Sequence, residues 1–169
     1  MPSPLGHALG GMALGWLIAP RLGRGVAFAG ATYAAVGVAP DLDLLVGSHS
    51  TYTHSIGAVG LVFLAALAAS GRPRVASAVA AAWASHLLLD WLGSDTSTPI
   101  GIMALWPFTR EHYQSSFYVF DAISRRYWLA EQFVWSNMRA AVKEVLILGP
   151  LAAVSYWMTH VNHRGPRAG

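Results

Sequence analysis

Six ligand-type side chains crowd into two short stretches. "PDLDLLVGSHSTYTHS" (Pro40–Ser55) carries Asp41, Asp43, His49 and His54, and "SHLLLD" (Ser85–Asp90) sets His86 and Asp90 four residues apart. A seventh, His7, follows Gly6 near the start. Imidazoles and carboxylates hold zinc, manganese or iron when no thiolate is offered, and the chain contains no cysteine. A pair four apart shares one helical face, so both members can grip a single ion without bending the backbone. The same spacing also gives an ordinary His–Asp hydrogen bond, and the pair alone does not choose. "HSTYTH" alone reads as an interfacial donor, and "PDLD" alone as a turn or helix start.

As a set, His7, Asp41, Asp43, His49, His54, His86 and Asp90 exceed the roughly four ligands one zinc ion takes. That surplus points to two or more divalent ions, zinc first, with manganese or iron also fitting the donors. Two ions about 3.5–4 Å apart are a standard device for phosphoester hydrolysis. Surplus carboxylates then bridge the ions or act as base, with Asp43 and Asp95 the candidates. Asp95 lies in "GSDTSTP" and equally suits a turn.

These residues need helices to hold them. The 169-residue chain is 54% hydrophobic and only 11% charged, against about a quarter charged in ordinary soluble domains. Its mean hydropathy is +0.44. The expected fold is an all-α, polytopic membrane bundle of four to five membrane segments plus an interfacial helix. Five apolar segments carry that expectation: Leu5–Ala19, Val26–Val38, Ile56–Ala69, Val75–Leu92 and Val142–Thr159. The first three fall short of the roughly 17 residues a span requires unless flanking residues are added. No Lys or Arg precedes the first run, so it reads as a retained helix rather than a cleaved signal. "DAISRRYWLAEQFVWSNMRAAV" mixes Trp and Arg at helical spacing, as an interfacial helix does, or as an amphipathic helix packed on the bundle. One domain is expected, with a core at 1–108, an interfacial region and last membrane helix at 109–160, and a basic tail at 161–169.

Charge orients the bundle. Arg21 and Arg24, Arg72 and Arg74, and Arg164 and Arg167 fall in alternate connections and the tail. Short basic connections face the cytoplasm, which puts every ligand-type residue at the extracytoplasmic face. Arg110, Arg125, Arg126, Arg139 and Lys143 lie on that same side, within a long segment that obeys the rule less strictly. The formal charge of +3 is too sparse for the dense basic stripe a nucleic-acid surface needs, so no nucleic-acid partner is expected.

Gly6–His7, Pro40–Asp43, His49 to Ser55, Ser85–Asp90 and Gly101 to Pro107 occur in that order. This series resembles the YdjM-like family of inner-membrane proteins, described as metal-dependent hydrolases. The resemblance covers roughly Met1 to Phe108. It implies a multi-pass protein of a bacterial-type inner membrane with a metal site on His7, Asp41, Asp43, His49, His54, His86 and Asp90. More distantly, the His-x-x-x-Asp pair and the Thr-His-Ser element are similar to parts of the zinc-dependent phospholipase C and S1/P1 nuclease superfamily. Those helical enzymes cleave phosphodiesters with a multi-zinc cluster. Ser50 stands where the family pattern has arginine, and the segment from Asp90 to "LWP" is longer than the pattern.

The leading expectation is a membrane-embedded, metal-dependent hydrolase that cleaves a phosphoester of a lipid or lipid-linked substrate with metal-activated water. Arg110 or Arg125 is placed to neutralise the phosphate, and Trp106 to anchor or cap the site. The alternative is a metal-ion or proton transporter, since His and Asp at membrane depth also mark ion pathways. A third reading, a structural metal tying helices together, needs only about four ligands. Small residues permit close helix packing, within one chain or between copies.

Overall fold

The computed structural model describes residues 1–23, 25–47, 49–96, 98–124 and 128–161. Among these, every regular element is helical: α1 (Pro4–Ile18), α2 (Val26–Val38), α3 (Ile56–Ser70), α4 (Pro73–Trp91) and α5 (Ala130–Val161), with two 3-10 helices, Ala39–Val46 and Tyr52–His54, between α2 and α3. Arg24, Arg125, Arg126, Tyr127, Arg164 and Arg167, which entered the sequence reading, lie outside the described residues.

Local chemistry sets the helix starts. The Ser3 hydroxyl accepts from Gly6 N ahead of Pro4, and the Ser55 hydroxyl accepts from Ala58 N. Both are N-caps that satisfy an otherwise orphan donor, and proline suits the first helical position. α3 stops at Gly71, whose φ of 64° closes the end in the left-handed region.

α1 packs against α2, α4 and α5, and α4 against α2 and α3. α1 and α2 touch backbone to backbone. A Cβ on Gly37 would sit 2.5 Å from His7 O, and one on Gly11 would sit 2.4 Å from Tyr33 O. Only glycine permits that approach. At the far end of the bundle, Ala19, Ala29, Tyr33, Ala78 and Ala82 form a buried cluster. There the Tyr33 hydroxyl donates to Ala19 O at 2.6 Å, and Arg74 Nε donates to Ile18 O at 2.6 Å. The ligand-type residues gather at the opposite end, where α1 starts, α2 hands over to the 3-10 helices, and α4 finishes.

The last helix departs from expectation. The expected interfacial helix and final span are one continuous helix of 32 residues, about 48 Å long at 1.5 Å per residue. Asp121–Ser124 is not helical. α5 runs parallel to α1: Ser3 meets Glu144, Leu9 packs near Leu148, and the Trp16 ring meets Tyr156 at 5.2 Å. Residues Ala130–Lys143 therefore overhang the start of α1, which explains why that stretch looked separate in sequence. Phe133–Thr159 is the one described helix long and apolar enough to cross a membrane. α1, α2 and α3 have 15, 13 and 15 residues, about 20–22 Å each.

Candidate metal centre

Four donors, from His54, His86, Asp90 and Asp41, lie close together. His54 Nε2 and His86 Nε2 are 3.0 Å apart. Asp90 Oδ2 lies 3.3 Å from the first and 3.2 Å from the second. Asp41 Oδ1 lies 3.8 and 3.6 Å from the same two nitrogens. Bond lengths of 2.0–2.1 Å to a tetrahedral zinc place donors about 3.3–3.4 Å apart. Asp90 then reaches onward, with Oδ1 3.4 Å from His7 Nε2. His7 stacks on His86 with ring centroids 3.6 Å apart. His7, His86 and Asp90 form one group able to hold an ion, and Asp41, His49 and His54 another.

The imidazoles are aimed from behind. His86 Nδ1 lies 2.7 Å from Gly37 O. A carbonyl only accepts, so Nδ1 carries the proton and Nε2 presents its lone pair. The glycine that lets α2 touch α1 thus also brings its carbonyl to α4. His54 Nδ1 faces Asp43 Oδ2 at 3.1 Å and the Thr53 hydroxyl at 2.9 Å, and Thr53 donates to the same Asp43 oxygen at 2.7 Å. Asp43 also takes His49 Nδ1 at 2.8 Å on Oδ1.

Burial makes the arrangement expensive as it stands. The side chains of His7, His54, His86 and Asp90 are 0–1% exposed. Both ring nitrogens of His7 and both oxygens of Asp90 are buried without a hydrogen bond among the described residues. Orphaned buried polar atoms are rare and costly, and a divalent cation would satisfy them. The donor set therefore fits a metal.

The charges on the connecting helices act strongly on one another. Burial pulls the His54 imidazole down, but Asp41, Asp43 and Asp90 around it carry it up to about 11. Burial pushes the Asp43 carboxyl up, yet hydrogen bonds from His54, His49 and Thr53 outweigh it and hold it at about 2. Asp41 is likewise below the usual carboxylate range: burial raises it, and His54 and His86 more than compensate.

All seven residues expected to bind metal come together at this end of the bundle. The others do not join them. Asp95 Oδ2 accepts from Gly101 N at 3.1 Å, closing its own loop. Trp106 lies over the start of α3, where Gly57 leaves room for its ring, and meets Tyr52 edge-on at 5.4 Å. Arg110 is exposed and makes none of the cluster's ion pairs. Sequence reasoning missed Glu144, which is 1% exposed. Its signal was an acid inside the apolar run "VKEVLILGP". Thr53 and the Gly37 carbonyl had no comparable signal.

Fold and centre together define an all-α protein whose buried imidazoles and carboxylates converge at one end of the bundle in a set able to hold a divalent ion. The chain belongs to the YdjM inner membrane protein family, whose model matches residues 1–163. No curated protein and no solved structure matches it.

Proposed function

We propose that this inner-membrane protein is a multi-pass, metal-dependent hydrolase that cleaves a phosphoester of a lipid or lipid-linked substrate. The observation that carries the proposal is the close set of His54, His86, Asp41 and Asp90 donors beside His7, whose ring nitrogens have no hydrogen bond among the described residues. His54, His86, Asp41 and Asp90 would hold one ion, zinc by donor type. His7 and the second oxygen of Asp90 offer a start for another. A divalent ion here supplies Lewis acidity at the phosphoryl oxygen and lowers the pKa of water.

The chain's own residues divide the remaining work. Asp43 accepts from His54, His49 and Thr53, which makes it an orienting group and a poor base. His49 is the wetted imidazole of the cluster, its side chain 16% exposed, with Nδ1 held by Asp43 and Nε2 3.1 Å from Met1 Sδ; we assign it the proton-accepting role. Only Asp41 and His49 open the cluster to the outside, at 19% and 16% exposure. On the same 3-10 helix as Asp41, Leu42 is 61% and Leu45 83% exposed. Apolar side chains beside a charged centre suit an amphipathic substrate with its phosphate at the ion and its chains in the bilayer. Arg21, Arg72 and Arg74 occupy the other end of the bundle, which supports an extracytoplasmic centre under the positive-inside rule. Exposed Leu61, Leu64, Leu146 and Leu151 on α3 and α5 support lipid contact on several helices.

The transporter reading has less support. Among the described residues every buried imidazole and carboxylate lies at the centre's end, whereas a pathway needs such groups through the depth of the bundle.

The deciding measurement is metal content by elemental analysis of protein purified without chelator, beside a His86→Ala, Asp90→Ala double variant. One or two zinc ions per chain, lost in the variant, with zinc-dependent release of headgroup or phosphate from vesicle phospholipids, is the expected result. Metal-free wild-type protein overturns the proposal. Zinc flux into proteoliposomes without hydrolysis favours the transporter.

A further inference from the structure

Glu144 is a nearly fully buried acid on α5, the helix that supplies no side chain to the cluster. Its Oε1 accepts from Ser3 N at 2.7 Å and its Oε2 from the Ser3 hydroxyl. The same hydroxyl accepts from Gly6 N, and Ser3 O accepts from His7 N at 3.1 Å. A Cβ on Gly6 would come within 2.8 Å of Glu144 Cδ, so α5 presses directly on the backbone beside His7. An acid in an apolar helix costs free energy unless it is paired. A carboxylate across the first turn of α1 also meets the positive end of that helix.

The second observation concerns His7 itself. His86 is aimed by Gly37 O, and His54 by Asp43 and Thr53. Among the described residues neither ring nitrogen of His7 has a hydrogen bond, and its Nδ1 has no aiming partner like those of His86 and His54. A ligand histidine is normally oriented through its other nitrogen. What holds His7 is its stack on His86, the Asp90 oxygen facing its Nε2 at 3.4 Å, and the place of its backbone.

We infer that Glu144 is the positioning residue for His7. Through Ser3, it fixes the first turn of α1 and so sets the imidazole against Asp90, making the long helix α5 part of the metal centre. The inference rests on the metal-centre reading above, and it goes beyond that reading by assigning a role to a residue outside the cluster.

The test is a double-mutant cycle on zinc affinity with cobalt(II) spectra as the structural readout. Glu144→Ala is expected to weaken zinc binding by about 10- to 100-fold, the usual effect of an outer partner, and to change the cobalt(II) absorption as His7→Ala does. In the His7→Ala background it should have no further effect. Glu144→Gln keeps an acceptor for Ser3 N and should restore both readouts. If Glu144→Ala does not fold, Ser3→Ala cuts the hydroxyl link alone and should give a smaller loss of the same kind. Additive losses, or lowered thermal stability with an unchanged cobalt spectrum, overturn the inference. If wild-type protein binds neither zinc nor cobalt, the hydrolase reading falls. The inference is then read from the ¹⁵N resonances of the His7 imidazole: a shift in Glu144→Ala supports it, and no shift overturns it.

Discussion

The two ends of this bundle use the same helices in opposite ways. At the far end, Ala19, Ala29, Tyr33, Ala78 and Ala82 pack without a buried carboxylate or imidazole. The buried Tyr33 hydroxyl there is satisfied by Ala19 O. At the other end, His7, Asp43, His54, His86, Asp90 and Glu144 are all buried, and several of their atoms have no hydrogen bond. A fold selected for stability alone would look like the far end throughout, since buried unpaired polar atoms destabilise. The contrast separates an end packed for stability from an end whose buried donors could hold a metal ion. It also explains the glycines between α1 and α2: contact at Gly11 and Gly37 links the two ends and delivers the carbonyl that aims His86.

The largest effect that would sharpen this contrast is at Asp90. Both its oxygens face cluster imidazoles, His7 on one side and His54 and His86 on the other. Asp90→Ala should remove bound metal, with affinity falling beyond the roughly 100-fold typical of an outer partner, as read by competition with a zinc chelator. Without metal Asp90 is also a partner of the protonated His54, so the metal-free variant should melt below metal-free wild type, as expected when one partner of a buried pair is removed. A variant that keeps its metal would break the comparison, because the orphaned atoms would then have another explanation.

Next comes Asp43→Asn. The carboxylate turns His54 and His49 toward their tasks without entering the four-donor set. Zinc affinity should drop by about 10- to 100-fold while the metal count at saturation stays that of wild type. Hydrolysis, if His49 takes the proton, should fall further than affinity does. Equal losses in both would assign Asp43 to His54 alone.

Much of this division was legible in the sequence, for a physical reason. Apolar runs broken by Pro20, Pro40 and Gly71 gave the helices, and α2 matched its expected range, Val26–Val38. His86 and Asp90 shared a face because four residues make about one turn. Ionisable residues at the ends of apolar runs had no cheap place except together. What escaped was anything carried by the backbone or by tertiary contact. Gly37 O is a ligand-aiming group with no side chain to notice. Asp95 and Arg110 had suitable chemistry, but their loop turned them elsewhere.

Acidity offers a gentler probe of the same end. The metal-free protein holds His54 up at about 11, well above the ordinary imidazole value near 6.5. An ion can bind Nε2 only after displacing that proton. Apparent zinc affinity should therefore rise with pH between 6 and 8, by about tenfold per unit for each proton displaced. Asp43, held near 2, stays ionised across this range and adds nothing to the slope. Calorimetry in buffers of different ionisation enthalpy would count the protons released, and a pH-independent affinity would mean that His54 binds no ion.

The smallest effect tests the far end, and it should be silent where the others are loud. Tyr33→Phe keeps the ring that fills the space beside Gly15 and removes only the hydroxyl that donates to Ala19 O. The loss is one hydrogen bond plus a buried carbonyl left without its donor, about 1–2 kcal/mol, seen as a lower Tm in detergent. Metal content and zinc affinity should match wild type, because neither Tyr33 nor Ala19 touches the cluster. If zinc affinity falls along with Tm, the ends are coupled through the α1–α2 contact, where Gly11 meets the carbonyl of Tyr33 itself. That outcome would replace a division of labour with a single cooperative unit. It would make the glycine seam, rather than the ligands, the place where stability and chemistry are set against each other.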